Sequence, residues 1–177
     1  MYRIAVVGPE STGKSELSKK LAAHYGSPWV EEYARSYVEQ LNRHYTFEDV
    51  CTIAGKQIED ELVYEKEHPE SFVFFDTELI ITKVWFDYCF QKVPDFVDER
   101  LKKGFFDLYL LCEPDLPWQP DPVREHGQDR DYFFERYKSE IEQLGKPYVC
   151  IHGSGDERLM NAVRQLDRFT SEVPKGQ

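Results

Sequence analysis

The sequence predicts an α/β fold in which a parallel five-stranded sheet is flanked by helices. Short apolar runs alternate with segments of helical periodicity along the chain, which is typical of parallel strands joined by crossover helices. A glycine-rich turn joins the first apolar run to the first helical pattern. The length of 177 residues suits one such domain with a sizeable core.

The predicted strands are short runs of aliphatic and aromatic residues that polar or turn-forming residues interrupt. We expect them at residues 3–7, 28–30, 72–75, 107–112 and 148–151.

Helical spacing of apolar residues fills the intervals between the strands. Leu17, Leu21 and Tyr25 share one face of a first helix that begins at Ser15. A second helix is expected to start near Glu32. Further helices are predicted at residues 47–68, 78–90, 95–103, 129–144 and 157–169.

One domain at residues 1–170 accounts for these elements, and we expect residues 171–177 to form a frayed tail. The formal net charge of −11 opposes nonspecific binding to nucleic acid. No apolar run approaches the roughly 18 residues of a membrane span, and no charged leader precedes the first strand. We therefore expect no membrane partner and a cytoplasmic location. The four cysteines form no C-x-x-C pair and are expected to be reduced thiols.

Residues 8–15 read G-P-E-S-T-G-K-S and match the phosphate-binding pattern G-x-x-x-x-G-K-[ST]. In that loop the glycines let the backbone N–H groups approach phosphate, the lysine contacts the β- and γ-phosphates, and the hydroxyl contacts Mg²⁺. The pattern predicts binding of ATP or GTP with Mg²⁺. The candidate nucleotide-binding residues of this loop are Gly8, Glu10, Ser11, Thr12, Gly13, Lys14 and Ser15.

Asp76 follows the third predicted strand, where a parallel sheet presents residues to its ligand crevice. We interpret Asp76 as the carboxylate that joins Ser15 at Mg²⁺, or as the base that takes the proton of the acceptor. The alternative is a helix N-cap formed by Asp76 or Thr77.

The second predicted strand is followed by Glu31, Glu32, Tyr33 and Arg35 at the same edge of the sheet. We expect these four residues to contact the substrate. A kinase that acts on a sugar hydroxyl needs a carboxylate within reach of that hydroxyl, and Glu32 is the first candidate for this base. Arg35 would bind phosphate or hold Glu32, and a surface salt bridge is the alternative.

A proline-rich stretch between the fourth strand and the next helix, residues 113–130, has neither strand nor helix periodicity. We interpret it as a lid. Arg124 and Arg130 would compensate charge on the transferred phosphoryl group, and Trp118 would contact the substrate. Ordinary surface arginines are the alternative.

The loop after the last strand contains Gly153 and Gly155 and leads to Glu157 and Arg158. A nucleotide base against the small residues, with Arg158 stacked on it, is one interpretation, and an ordinary strand-to-helix turn is the other. The histidines show no metal-ligand spacing, so we expect no metal besides Mg²⁺.

The phosphate loop and several shorter motifs together resemble the NadR-type ribosylnicotinamide kinase domain over about residues 3–165. The shared motifs are the loop at 8–15, E-Y-A-R at 32–35, A-G-K-Q at 54–57, F-F-D-T at 74–77, D-L-Y-L-L at 107–111 and P-W-x-x-D-x-x-R at 117–124.

The resemblance implies an adenylate-kinase-like P-loop fold and ATP-dependent phosphorylation of nicotinamide riboside to the mononucleotide. It also implies site roles for the loop residues, Glu32, Arg35, Asp76 and Arg124. Family members are often fused to an adenylyltransferase, so we expect a separate adenylyltransferase, or a transporter, as a candidate partner.

The sequence departs from the family where an aromatic pair would sandwich the nicotinamide ring. The family commonly has Trp before E-Y-x-R, and here Glu31 stands there, with Leu62 on the long helix in place of an aromatic residue. An acidic residue favours a cationic ring by its charge. A ring face could come instead from Trp29, Tyr33, Trp85 or Trp118.

Two alternatives to a riboside kinase remain at this point. A kinase for another nucleoside or for a nucleotide would keep the chemistry, and a basic pocket near Arg35 or Arg43 would favour the phosphorylated acceptor. A non-catalytic ATP-sensing module would bind ATP and relay a conformational change to a transporter, enzyme or repressor.

Overall fold

The five strands form one parallel sheet in the computed structural model, which describes residues 1–66, 69, 71–120 and 128–174. The strands are β1 Tyr2–Val7, β2 Trp29–Val30, β3 Phe72–Asp76, β4 Leu108–Cys112 and β5 Tyr148–Ile151. They lie in the order β2-β3-β1-β4-β5. The chain thus builds one half of the sheet on one side of β1 and then crosses to the other side.

The helices lie near their predicted positions. They are α1 Lys14–Tyr25, α2 Tyr33–Gln40, α3 Phe47–Val63, α4 Leu79–Phe90, α5 Asp95–Lys103, α6 Arg130–Gln143 and α7 Gly155–Glu172.

Two predicted helix ends are wrong. Helix α3 ends at Val63, and residues 67 and 68 of the predicted range lie outside the described residues. Tyr64 forms its C-cap, and the Tyr64 ring packs edge-on against Phe75 at 5.7 Å. Helix α7 includes Ser171 and reaches Glu172, whose carboxylate pairs with Arg168 one turn earlier at 2.8 Å. The single-domain boundaries stay a prediction.

Helices cover both faces of the sheet, which explains why the central strands are apolar at successive positions. Ile4 and Val6 face α1 and α7, where they pack with Leu21. Ala5 and Val7 face the layer that contains α3, α4 and α6. This double coverage fixes the sheet and leaves its carboxyl edge as the place where polar side chains emerge.

The loops after all five strands meet at that carboxyl edge because the strands are parallel. The phosphate loop follows β1, the Glu31–Glu32 pair follows β2, and Asp76 is the last residue of β3. Within the described part of the chain, no helix has the length and apolar character that crossing a membrane requires.

A buried ion pair ties α3 to α5 close to this edge. Arg100 Nε donates to Glu61 Oε2 at 2.6 Å, and its Nη1 donates to the half-exposed Glu65 at 2.7 Å. Glu61 is 2% exposed, and burial raises the pKa of its carboxyl to about 7 although Arg100 opposes the shift.

Replacing Glu61 with Gln is expected to flatten the pH dependence of stability. The ordinary pKa of this carboxyl is 4.5 and its pKa in the folded protein is about 7. Its favourable contribution to the free energy of unfolding is therefore fully present below pH 4.5 and is lost as the pH rises through about 7. Between about pH 5 and about pH 8 the free energy of unfolding in urea should fall by up to about 3 kcal/mol less in the variant than in the wild type.

The matched control is Glu65→Gln, which changes the exposed partner of the same arginine. Its stability should follow the wild-type pH curve. Parallel pH curves for Glu61→Gln and the wild type would show that Glu61 does not titrate in this range.

Candidate functional site

The phosphate loop between β1 and α1 has the backbone geometry of an anion cradle. Gly13 has φ +74° and caps α1, so the first N–H groups of the helix face the loop. A Cβ on Gly8 would lie 2.7 Å from the Cys112 carbonyl oxygen. Only glycine fits at this position, because β4 passes directly behind the loop.

Polar side chains hold the loop in shape. Thr12 Oγ1 donates to the Pro9 carbonyl at 2.8 Å, and Lys14 Nζ donates to the same oxygen at 2.8 Å. Lys14 therefore lies folded against its own loop, where its ammonium group is within reach of an anion in the cradle. Ser11 also has a left-handed backbone, with φ 57°.

The turn after β3 buries three successive polar residues. Asp76, Thr77 and Glu78 are 3%, 6% and 1% exposed. Thr77 has φ 75°, a left-handed conformation that is strained for a β-branched residue. Asp76 Oδ1 and Thr77 Oγ1 are buried without a hydrogen-bond partner among the described residues.

Glu78, and neither Asp76 nor Thr77, caps α4. Its Oε1 accepts from the Ile80 N–H at 2.8 Å, so the capping alternative for Asp76 is wrong. The carboxylate of Asp76 thus remains available to a ligand.

The environment of Asp76 suits a divalent cation. Burial raises the pKa of its carboxyl, and the Ser15 hydroxyl and the charge of Lys14 oppose that rise. An unpartnered carboxylate oxygen close to a hydroxyl fits Mg²⁺, which takes few protein ligands and fills its shell with water and phosphate oxygens. Among the described residues no cluster of three or more His, Cys, Asp or Glu side chains forms a metal site.

A cleft of about 520 Å³ opens in front of the phosphate loop. The loop residues from Glu10 to Ser15 line this cleft, and so do Glu32 and Arg35. Arg35 also pairs with Glu39 at 3.0 Å, so the surface salt bridge exists alongside a position on the cleft.

Glu31 and Tyr33 line a separate small cavity with Asp76. The helix α3 residues that reach this cavity are Gln57, Asp60 and Glu61. Leu62, which stands in place of the family's aromatic residue on α3, is 49% exposed and lines neither cavity. Thr77 lines both the small cavity and the large cleft.

Sequence reasoning missed an aromatic wall on the large cleft. Its members come from the start of α3, from α4 and from α6: Tyr45, Trp85, Tyr88, Phe133 and Tyr137. The signal was the helical spacing of Trp85 with Tyr88 and of Phe133 with Tyr137, which places each pair on one helix face. Of the suggested ring partners, Trp85 alone lines this cleft, and its ring meets Tyr45 edge-on at 4.7 Å.

The described part of the lid crosses the phosphate loop. The Gln119 N–H donates to Ser11 Oγ at 3.1 Å, and Arg130 Nη1 donates to the Leu116 carbonyl at 2.8 Å. Arg130 therefore braces the lid from the first residue of α6. Trp118 is 39% exposed and does not line the cleft, contrary to its predicted contact with substrate. Arg124 lies outside the described residues.

Arg158 supports the loop after β5 instead of offering a stacking surface. It is 3% exposed, and its guanidinium donates to the carbonyls of Gly153 at 2.7 Å and Ile151 at 3.1 Å and pairs with Asp115. The stacking interpretation is wrong because the guanidinium is buried and its donors are used. Glu157 lies beside it at the exposed start of α7, next to Gly153.

Comparison with known proteins places these features in context. A family model described as an AAA domain matches residues 3–158. The trifunctional NAD biosynthesis/regulator protein NadR of Escherichia coli is 28% identical over 178 residues, which cover 96% of this chain and 43% of that protein. The NadR protein of Salmonella typhimurium matches to the same extent. The chain thus spans less than half the length of these relatives.

Solved structures agree with the predicted fold. The crystal structure of a NadR protein in complex with NR matches with a TM-score of 0.72 and 25% identity, over 99% of this chain and 52% of that one. A deoxyadenosine kinase from M. mycoides, 14% identical, matches over 94% of this chain and 99% of that one with a TM-score of 0.55 and shares the fold alone. The P-loop kinase fold and the resemblance to the NadR-type domain are confirmed.

Asp76→Asn is expected to stabilise the ligand-free protein and to weaken Mg²⁺-dependent nucleotide binding. The variant removes a buried charge whose raised pKa marks it as unfavourable at neutral pH, so unfolding should require on the order of 1 kcal/mol more. Thermal unfolding and ATP titration with and without Mg²⁺ measure the two effects.

Asp87→Asn is the control, since Asp87 lies on α4 in a half-exposed pair with Arg136. It should change neither property. A destabilised Asp76→Asn variant that keeps its Mg²⁺ response would contradict a ligand role for Asp76.

Proposed function

This chain belongs to the AAA domain family, and we propose that it is an ATP- and Mg²⁺-dependent kinase for a small riboside, with nicotinamide riboside as the first candidate and the mononucleotide as product. One observation supports this proposal above all. The phosphate loop and Glu32 line one cleft together with Thr77, the strained residue that follows Asp76.

In this proposal the phosphate loop holds the triphosphate of ATP. The N–H groups at the start of α1 and the close approach that Gly8 permits provide the cradle. Lys14 exchanges the Pro9 carbonyl for phosphate oxygens, which replaces a neutral acceptor with a charged one. We keep the proposal that the nucleotide base of ATP lies near Glu157 and Arg158. In this proposal Arg158 supports the loop and does not stack on the base.

Ser15 and Asp76 would hold Mg²⁺ beside the phosphates. The ion, when bound, neutralises charge on the β- and γ-phosphate oxygens. The burial of Asp76 keeps water from competing for its free oxygen.

Glu32 is the proposed base for the acceptor hydroxyl. It stands at the N-cap of α2 and lines the same cleft as the loop. Its carboxylate would take the proton of the acceptor hydroxyl as that oxygen bonds to the γ-phosphorus, while the bond from the γ-phosphorus to the bridging oxygen breaks and ADP leaves. Asp76 is the alternative base, and Glu31 and Tyr33 lie beside it in the small cavity. Arg35 would contact the transferred phosphate.

The composition of the cleft suits a riboside with a cationic ring. Trp85 and Tyr45 offer ring faces, and Glu10 and Glu32 add negative charge. Arg130, which braces the lid, and Arg124 would compensate charge on the transferred group when the lid covers it.

A phosphorylated acceptor would meet one basic residue in the cleft, Arg35. Arg43 does not add to it, because it is held by both oxygens of Asp49 at 2.6 and 3.0 Å and does not line the cleft. A non-catalytic ATP-sensing module remains an outcome of the test below. We also propose a cytoplasmic site of action and a separate adenylyltransferase or transporter as the partner.

A transfer assay with γ-labelled ATP and a panel of ribosides and monophosphates tests the proposal. Nicotinamide riboside should accept the label, and Lys14→Ala should abolish transfer. Tight ATP binding without transfer to any acceptor would favour the sensing module and overturn the kinase.

Glu32→Gln is expected to lower kcat by about 10²–10⁴-fold because it removes the base while keeping the shape of the side chain. Glu31→Gln, one residue earlier, is the matched comparison. It should leave kcat within about threefold, since Glu31 lies outside the large cleft. The KM of a cationic riboside should rise, because the variant removes a negative charge near the site. Equal kcat losses in both variants would argue against a specific role of Glu32.

A further inference from the structure

Tyr137 brings a polar group to the aromatic wall of the large cleft. It lies on α6, one turn after Phe133, and the two rings stack with centroids 6.1 Å apart. Tyr137 is 7% exposed and still lines the cleft. Its ring is therefore fixed by packing, and the remaining exposed surface faces the ligand space.

The hydroxyl of Tyr137 has no hydrogen-bond partner within the described ranges. Buried tyrosines usually find one, and three partly exposed tyrosines of this chain have one. Tyr25 donates to Asp167 at 2.8 Å, Tyr37 to Asp49 at 2.9 Å and Tyr148 to Glu142 at 2.6 Å. Tyr137 instead leaves its donor for a group that enters the cleft.

Two carboxylates line the same cleft as this hydroxyl. Glu10 belongs to the phosphate loop and Glu32 to the N-cap of α2, and both act electrostatically on Tyr137. Together with burial they raise the pKa of the phenol, so it stays protonated and acts as a donor at physiological pH.

A donor beside an acceptor matches a hydroxyl group, which both accepts and donates a hydrogen bond. We propose that Tyr137 is a specificity-determining residue that donates a hydrogen bond to a second sugar hydroxyl of the acceptor, whose own proton goes to Glu10. This assignment rests on the proposed kinase function. The hydroxyl that becomes phosphorylated is the one assigned to Glu32. Because the contact with Tyr137 needs a second sugar hydroxyl, the site would select ribosides over deoxyribosides.

Tyr137→Phe tests the assignment because it removes the hydroxyl and keeps the stacked ring. The acceptors are nicotinamide riboside and its 2′-deoxy and 3′-deoxy analogues. The variant should lose roughly tenfold in kcat/KM for the riboside, mainly through KM. It should lose less than about twofold for the analogue that lacks the contacted hydroxyl. The KM for ATP and the Tm should not change.

Tyr132→Phe is the control, since Tyr132 lies on the same helix, is 47% exposed and does not line the cleft. It should match the wild type with every acceptor. Equal losses of Tyr137→Phe for the riboside and both analogues, or no loss at all, would overturn the assignment of Tyr137 while the kinase proposal stands. A wild-type protein that phosphorylates no riboside would overturn both.

Discussion

The turn after β3 is the constraint on which the site depends. Three polar side chains, Asp76, Thr77 and Glu78, are buried in sequence, and the middle one has a left-handed backbone. Such a conformation persists only where the surrounding structure enforces it. Here the Thr77 N–H donates to the Val6 carbonyl of β1 at 3.0 Å, and α4 starts immediately afterwards. The central strand of the sheet thus fixes the direction of the ligand-facing side chains.

Glu78 makes this turn compatible with a free Asp76. One oxygen of Glu78 caps α4, and the other is buried without a partner in the described part of the chain. Burial and the charge of Glu61 raise the pKa of Glu78 well above its usual value. Burial thus disfavours a second negative charge on Glu78, next to the carboxylate of Asp76 that faces the ligand space.

The sequence was sufficient to predict the sheet and the phosphate loop because both follow local rules. An apolar run before G-x-x-x-x-G-K-[ST] specifies a strand, a loop and a helix, whose interpretation depends little on distant residues. Glu32 and Asp76 were also correctly predicted to lie at the same edge of the sheet, because the carboxyl ends of parallel strands meet at one edge. The helix ends depend on tertiary contacts, such as Tyr64 on Phe75, and were less accurate.

The aromatic wall and the role of Arg158 could not be derived in the same way. Tyr45, Trp85 and Phe133 are distant in the sequence, and only the packing of α3, α4 and α6 against one another brings them to one cleft. For Arg158, the deciding facts are the carbonyls of Ile151 and Gly153, which consume its donors. Sequence identifies the charge, but only the fold determines whether that charge meets the backbone or a ligand.

Thr77 connects the two compartments of the site. It lines the large cleft in front of the phosphate loop and the small cavity with Glu31, Tyr33 and Asp76. A group that binds on either side contacts the same strained residue, whose hydroxyl lacks a partner among the described residues. Any shift of this turn moves Asp76 as well, because the two residues share a peptide bond. Thr77 is thus the shared wall of the two compartments and the covalent neighbour of Asp76.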